Sequence, residues 1–202
     1  AHSRGVPVIV DAASMLPPRV NLHKYLAMGA DMVVYSGGKS IRGPQGTGIL
    51  CGRADLIEAA VANAAPGQFL GRGMKVAKEE IVGLLKATEV FLDQDEEEEN
   101  RQYRQMCQRV QDALIEIPGT EIRIEHDNYD FLIPTTIIGF TENWQGPSRD
   151  EILYLMLKGE TPIYMYQLSA LDEIGVDPTN LSEEELGKVI SKLRSILLTK
   201  ND

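Results

Sequence analysis

Asp11 and Lys39 are two residues whose types and positions could do chemistry. Asp11 follows the β-branched apolar run at 6–10, and Lys39 lies in a glycine-rich loop after the apolar run at 32–35. Ligands of open α/β sheets bind at the carboxyl ends of the strands. A lysine that is partly desolvated there becomes a nucleophile for carbonyl groups. Each residue alone also has an ordinary alternative, since Asp11 can cap the following turn and Lys39 can be a surface lysine.

The loop at 36–48 contains five glycines, which permit close approach of the backbone to a ligand. Ser36 can offer its hydroxyl and its backbone N–H to a phosphate. The loop contains Gly38-Lys39-Ser40, which matches the end of a Walker A sequence, but Val33 stands where that motif needs its first glycine. The dinucleotide pattern GxGxxG fails at Cys51. The sequence therefore does not support nucleotide binding.

The pair is more informative than either residue alone. Asp11 and Lys39 are 28 residues apart and follow two strands of one predicted βαβ unit, whose strands are parallel. Pyridoxal phosphate requires a carboxylate that keeps its pyridine nitrogen protonated and an amine that forms a Schiff base with its aldehyde. We therefore hypothesise that pyridoxal phosphate is the cofactor.

Hydrophobic patterning predicts the elements that position this pair. The predicted elements are strands at 6–10, 32–35 and 49–51, helices at 22–28, 54–64 and 79–117, and an extended loop at 66–78. Their β-branched composition predicts that the strands at 6–10 and 32–35 are buried on both faces. Asn21 is predicted to cap the first helix and Gly29 to end it.

The rest of the chain predicts a small α+β domain. Alternating residues predict strands at 121–125 and 135–140, with a third candidate at 163–166, and capping boxes at Ser148 and Ser182 predict two helices. The fold class is α/β with this α+β domain at the carboxyl end. The predicted domains are the carboxyl-terminal part of a large cofactor-binding domain at 1–78, a long linking helix at 79–119 and the small domain at 120–202.

The charge of the chain restricts the kinds of ligand and partner that it can be expected to bind. The 202 residues carry 20 Lys and Arg against 30 Asp and Glu, a net charge of −10. Residues 1–78 contain nine Lys and Arg but four Asp and Glu, so a locally cationic part precedes an acidic remainder. This balance favours a small anionic ligand over nucleic acid.

The sequence has no apolar run long enough to span a membrane, and no membrane partner is expected. Cys51 and Cys107 have neither CxxC nor zinc-type spacing, and two free thiols indicate a reducing compartment, so we expect a cytoplasmic location. The histidines show no metal-ligand spacing, and no metal site is predicted. The chain starts without Met just before a predicted strand, and we expect it to be the carboxyl-terminal part of a longer chain.

Several segments resemble the fold-type I pyridoxal-phosphate enzymes, which share the aspartate aminotransferase-like fold. They are most similar to the branch that holds bacterial selenocysteine synthase, the L-seryl-tRNA(Sec) selenium transferase, and D-glucosaminate-6-phosphate ammonia-lyase. The segments are VIVDAA at 8–13, GAD at 29–31, the loop at 36–45, the stretch at 71–81 and the tail segments at 157–164 and 176–178. The resemblance covers nearly the whole chain and implies the large and small domains of that fold.

The resemblance implies roles for individual residues. Lys39 would form the Schiff base with the cofactor aldehyde, Asp11 would pair with the pyridine nitrogen, and Ser36 would contact the phosphate. Arg72 and Lys75, in a loop expected near a dimer interface, would meet a substrate carboxylate or phosphate, unless they are basic residues of a solvated loop. The resemblance also implies a homo-oligomer with active sites shared between subunits.

Three departures separate the chain from parts of that branch. Selenium transferases typically carry Ser-Gly-Asp-Lys, whereas Gly38 replaces the Asp here. The segment at 41–45, with Arg42, is more similar to the ammonia-lyases than to the selenium transferases. Arg42 is a third candidate for binding an anionic substrate. The small domain has no arginine of the Pro-Pro-x-x-x-Arg type after Pro162, so an ordinary clamp for a substrate α-carboxylate is not expected.

Three functions remain open. The first is a pyridoxal-phosphate-dependent lyase that eliminates a β-hydroxyl and releases ammonia from a small anionic amino compound, such as a phosphorylated amino sugar acid. The second is a selenium transferase acting on seryl-tRNA, which the acidic charge disfavours because tRNA binding needs a broad cationic surface. The third is a non-catalytic scaffold with the same fold, against which the intact pair of Asp11 and Lys39 argues.

Overall fold

The chain folds into two compact units, Ala1–Glu96 and Glu97–Asp202. The structure is a computed structural model that describes residues 1–127, 129–170 and 172–199, without the side chains of Tyr166 and Gln167. Residues 200–202 of the predicted small domain thus lie outside the described part.

The first unit contains the predicted βαβ unit. Strand β1 (Ile9–Asp11) is parallel to β2 (Met32–Ser36), and helix α1 (Asn21–Ala27) connects them. Strand β3 (Gly48–Gly52) is antiparallel to β2 and completes a sheet of order β1-β2-β3. The parallel pairing brings the carboxyl ends of β1 and β2 to the same edge of the sheet.

The core of the first unit lies under β2. Successive residues of a strand point to opposite faces, and the alternate residues Val33 and Tyr35 are buried while their neighbours are half-buried. Helix α2 (Ala54–Asn63), a short 3₁₀ turn (Arg72–Met74) and helix α3 (Lys78–Asp93) follow β3. The buried cluster consists of Ala12, Leu16, Val33, Tyr35, Ile41 and Phe91.

Two predictions about this unit are wrong. Strand β1 is not buried on both faces, since Ile9 is 58% exposed. The reason is its position, because β1 is an edge strand of the described sheet. Asn21 does not cap α1 either: it is the first residue of the helix, and its side-chain amide donates to the Met15 carbonyl at 2.7 Å. Gly29 follows the end of α1 with a positive φ of 103°, as predicted.

One long helix was predicted from 79 to 117, and this is wrong, because the structure has α3 and then α4 (Glu96–Leu114). Gln94 between them has an extended backbone. The break is stabilised by Arg19, whose Nε donates to the Phe91 carbonyl at 2.5 Å and whose backbone N–H donates to Glu96 at 2.6 Å. The last carbonyls of a helix need such a partner, and acidic residues favour the start of the next one.

The second unit is an antiparallel sheet covered by helices, as the predicted α+β domain requires. Its elements are β4 (Thr120–Glu125), β5 (Thr135–Phe140), α5 (Arg149–Leu157), β6 (Tyr166–Gln167), β7 (Glu173–Val176) and α6 (Glu183–Leu197). The strand order is β4-β5-β7-β6. Strand β7 was not predicted, and of the candidate strand at 163–166 only its last residue lies in β6.

Both predicted capping boxes are present. The hydroxyl of Ser148 accepts from the Glu151 backbone N–H while the Glu151 carboxylate accepts from the Ser148 backbone, and Ser182 and Glu185 make the same pair at the start of α6. One face of the sheet packs against α4, α5 and α6. Its buried cluster includes Leu114, Ile138, Ile152, Ile174 and Leu193.

Candidate cofactor site

Asp11 is the last residue of β1, at the edge where β1 and β2 both end. Its Oδ1 accepts a 3.0 Å hydrogen bond from the backbone N–H of Ala13, so Asp11 does cap the following turn. Oδ2 has no hydrogen-bond partner among the described residues, and the side chain is exposed. The capping contact orients the carboxylate and leaves one oxygen available for a ligand.

The loop after β2 is held in one conformation by its own backbone. Gly37 donates to the Thr47 carbonyl at 3.0 Å and accepts at 2.8 Å from the backbone N–H of Gly43. A Cβ atom at Gly37 would stand 2.2 Å from the Thr47 hydroxyl oxygen, so a larger residue there would have to displace the Thr47 and Leu84 side chains. The close packing of the loop gives Lys39 a fixed starting point.

Lys39 reaches from this loop to the turn after β1. Its Nζ donates to the hydroxyl oxygen of Ser14 at 2.6 Å, and Ser14 lies three residues after Asp11. The Lys39 carbonyl accepts from the backbone N–H of Arg42 at 2.8 Å. The amine is therefore brought to the turn that Asp11 begins, as a shared cofactor site requires.

A second contact joins the same two segments. The hydroxyl of Ser40, the residue after Lys39, donates to the Leu16 carbonyl at 2.5 Å. The neighbouring Met15 carbonyl accepts from the side chain of Asn21, which is buried. We call the loop at 36–48, which carries Lys39, the lysine loop. The turn after β1 is thus held both by the lysine loop and by α1.

The other predicted site residues are less closely gathered. The half-buried Ser36 ends β2, and its hydroxyl makes no hydrogen bond within the described chain. Arg42 is exposed on the lysine loop and has a left-handed φ of 58°. Arg72 and Lys75 lie in and just after the 3₁₀ turn, and within the described chain neither side chain bonds to the Asp11–Lys39 site. Their roles stay predictions.

Sequence reasoning missed Ser14, Ser40 and Gln45. Gln45 donates from its side-chain amide to the Gly38 carbonyl at 3.0 Å and so supports the lysine loop. For Ser14 the signal was its place three residues after a candidate carboxylate at a strand end. Nothing in the local sequence pairs Ser40 with the segment 24 residues earlier.

The carboxyl with a strongly lowered pKa lies at the opposite end of the sheet. Asp31, which precedes β2, accepts from the backbone N–H of Val8 and from Arg53 and His2, and these hydrogen bonds hold its pKa well below the usual range. Ligands bind at the other end of such strands. We assign Asp31 a structural role.

Tyr35 stays protonated beneath the site. Burial raises its pKa to about 12, and its hydroxyl donates to the backbone carbonyl of Asn21 at 2.8 Å. Burial also raises the pKa of the Cys51 thiol, and both cysteines are free. These groups are therefore neutral at pH 7, and Tyr35 ties α1 to the sheet.

The donor set fits pyridoxal phosphate. The amine of Lys39, the carboxylate of Asp11 with its available oxygen and the hydroxyl of Ser36 lie at or beside the carboxyl ends of β1 and β2. The aldehyde, ring nitrogen and phosphate of the cofactor need an amine, a carboxylate and a hydroxyl, respectively. Among the described residues, no cluster of three or more His, Cys, Asp or Glu could hold a metal ion. Nor is any helix in that part of the chain long and apolar enough to cross a membrane.

The model of a family described as aminotransferase class-V matches residues 1–140. The chain belongs to the class-V aminotransferase family. It is 32% identical over 198 residues to the 5'-C-glycyluridine monooxygenase-decarboxylase of a Streptomyces species, a match that covers 98% of this chain and 48% of that protein. It is 30% identical over 198 residues to the D-glucosaminate-6-phosphate ammonia lyase of Salmonella typhimurium, covering 97% and 50%.

The fold agrees with the family. The solved structure of a D-glucosaminate-6-phosphate ammonia-lyase superposes with a TM-score of 0.73 at 29% identity, over 98% of this chain and 50% of that one. Class-V aminotransferases are fold-type I enzymes that depend on pyridoxal phosphate, so the predicted family and fold class are confirmed. The chain spans about half the length of the curated relatives it matches.

Proposed function

We propose that this class-V aminotransferase relative acts as a pyridoxal-phosphate-dependent lyase that releases ammonia from a small anionic amino compound, such as a phosphorylated amino sugar acid. The observation that carries the proposal is the 2.6 Å contact between Lys39 Nζ and Ser14, which brings the amine to the turn that Asp11 begins. The relative named as an ammonia lyase supports this reaction class.

Pyridoxal phosphate, when bound, supplies an electron sink that stabilises negative charge at the carbon beside the substrate amine. The available oxygen of Asp11 would accept a hydrogen bond from the ring nitrogen and keep that nitrogen protonated. Lys39 would hold the aldehyde carbon covalently through Nζ, and its released amine would move the α-proton of the substrate. Ser36 would donate its hydroxyl to the phosphate.

Cationic side chains support an anionic substrate. Arg42 lies three residues after Lys39, and Arg72 and Lys75 lie next to exposed apolar side chains at 69–70 and 74. We propose that this apolar loop meets a second subunit and that Arg72 and Lys75 serve a shared active site. An excess of positive charge over 1–78 would concentrate such a substrate.

We keep the predicted domain division as part of the proposal. Residues 1–78 would belong to the large cofactor-binding domain and 120–202 to the small domain, with α3 in the first compact unit and α4 from Glu97 onward in the second. The two free thiols, Cys51 and Cys107, favour a cytoplasmic location for the protein.

Gly38 makes the selenium transferase alternative less suitable. A Cβ atom at Gly38 would stand 2.6 Å from the Cα of Gln45, which is closer than any real contact of this kind. The Asp that selenium transferases typically carry at this position would displace the lysine loop. The net charge of −10 also opposes tRNA binding.

The experiment is a titration of the intact protein with pyridoxal phosphate, followed by borohydride reduction and peptide mapping. We expect visible absorbance and a pyridoxyl group on Lys39, both lost in Lys39→Ala. Lys86→Ala, which removes an exposed lysine of α3, is the control and should behave as the unaltered protein. Absence of the label from Lys39 in the unaltered protein would leave the scaffold as the better description.

Product analysis then separates the reaction classes. Incubation with phosphorylated amino sugar acids should release ammonia and a keto acid without consuming oxygen. Oxygen uptake with carbon dioxide release would instead favour the chemistry that the Streptomyces relative's name describes. Transfer of selenium to seryl-tRNA would favour the selenium transferase.

A further inference from the structure

Ser14 lies in a hydrogen-bonded turn directly after β1. The backbone N–H of Met15 donates to the Ala12 carbonyl at 3.1 Å, which closes a turn with Ser14 inside it. Ala12 is fully buried and its backbone N–H donates to the Val34 carbonyl of β2 at 2.9 Å. The Ser14 side chain is exposed, so its hydroxyl faces outward from an anchored turn.

Two consecutive residues of the lysine loop bind this turn. Lys39 donates to the Ser14 hydroxyl, and Ser40 donates to the Leu16 carbonyl. The Ser40 contact fixes the distance between the two segments. The Lys39 contact then selects one arrangement of a side chain that has four rotatable bonds and would otherwise sample many.

We propose that Ser14 is a positioning residue for the Lys39 amine. The proposal rests on the proposed function, in which Nζ reacts with the cofactor aldehyde. In that step Nζ of the neutral amine bonds to the aldehyde carbon, and the carbonyl oxygen leaves as water with the two amine protons. By accepting an N–H hydrogen bond, Ser14 would hold Nζ at the turn that Asp11 begins and keep its lone pair directed away from the Ser14 oxygen.

The test compares Ser14→Ala and Ser14→Thr in the intact protein. Ser3→Ala is the control, because Ser3 is exposed and its hydroxyl makes no hydrogen bond within the described chain. The first readout is the limiting rate of covalent attachment of pyridoxal 5'-phosphate, followed by absorbance at saturating cofactor. We expect Ser14→Ala to lower it about fivefold, the effect of losing one hydrogen bond. Ser14→Thr should restore most of the rate, and Ser3→Ala should leave it unchanged.

Two further readouts separate positioning from other roles. The affinity for pyridoxal 5'-phosphate is measured in Lys39→Ala and in the double variant with Ser14→Ala, where no covalent link forms, and we expect equal values. Labelling of Lys39 in the cofactor-free protein by trinitrobenzenesulfonate, which no site orients, should change less than about twofold.

The outcomes are distinct. An attachment rate that Ser14→Ala leaves unchanged overturns the positioning role while the proposed function stands. A weaker affinity in the double variant assigns Ser14 to the cofactor and also overturns it. Failure of the unaltered protein to attach the cofactor at Lys39 overturns the proposed function and this inference together.

Discussion

Gly38 and Gln45 are in close contact, and this contact fixes the conformation of the lysine loop. The side-chain amide of Gln45 donates to the Gly38 carbonyl at 3.0 Å, and a Cβ atom at Gly38 would stand 2.6 Å from the Gln45 Cα. The backbone approach and the hydrogen bond therefore depend on each other. Position 38 accepts only glycine without a shift of the segment that carries Lys39.

Gly38→Ala should lower the free energy of unfolding by about 1 to 3 kcal/mol, because the added methyl group meets the Cα of Gln45 as well as its side chain, and moving the side chain alone does not relieve the overlap. The measurement is urea unfolding. Gly187→Ala in α6 is the matched control, since no atom lies within 4 Å of the added Cβ and alanine favours a helix interior. Equal effects of the two substitutions would contradict the close contact.

Arg19→Lys should lower the free energy of unfolding by about 2 kcal/mol. Its guanidinium, 14% exposed, stacks on the Phe91 ring and bonds the Phe91 carbonyl, Gln94 and Glu96, and an ammonium group cannot reproduce that fork. Denaturant unfolding measures the loss. The control Arg101→Lys changes an exposed pair with Glu98 on α4 and should cost less than about 0.5 kcal/mol. A loss at Arg19 no larger than at Arg101 would contradict this role.

Asp31 should make stability depend on pH at the acid end. Its folded pKa lies below the unfolded value, so its contribution is complete above the unfolded pKa of about 4 and is lost as the pH falls through the folded pKa. The difference in unfolding free energy between the unaltered protein and Asp31→Asn should shrink as the pH falls below about 4.

Urea unfolding at successive pH values checks this expectation. Asp93→Asn is the control, since Asp93 is exposed at the end of α3 and its carboxylate has no hydrogen bond in the described chain. Its difference from the unaltered protein should not follow the same curve. A constant difference for Asp31→Asn down to pH 3 would mean that the carboxyl is not held ionised by its partners.

Lys192→Met should destabilise the second unit by about 2 kcal/mol. The Lys192 ammonium donates to the carbonyls of Met156 at 2.7 Å, Lys158 at 2.5 Å and Thr161 at 3.0 Å, and the substitution removes all three bonds at the end of α5. Lys188→Met on the same helix removes an i,i+4 pair with Glu184 and should cost less than about 0.5 kcal/mol. The measurement is the thermal unfolding midpoint of both variants. Similar midpoints would contradict the proposed stabilisation of the end of α5 by Lys192.

Local pattern was enough for many elements. Alternation at 121–125 predicted β4, which spans Thr120–Glu125, and the Ser182 capping box predicted the start of α6. These signals are local because strand alternation and helix capping depend on residues a few positions apart. Strand β7 was missed because its Glu-Ile-Gly-Val sequence is short, and its pairing with β5 comes from a segment more than 30 residues away.

The sequence by itself determined the family, through the segments that resemble fold-type I enzymes, and the chemistry worth testing, because Asp11 follows one apolar run and Lys39 lies in the glycine-rich loop after another. Only the tertiary structure decided how the amine is held, where the predicted long helix breaks and which strand is exposed. The first two depend on contacts between residues 24 to 77 positions apart, such as Ser14 with Lys39 and Arg19 with Glu96. Hydrophobic periodicity carries no record of such distant pairs, since they form only after the elements have packed.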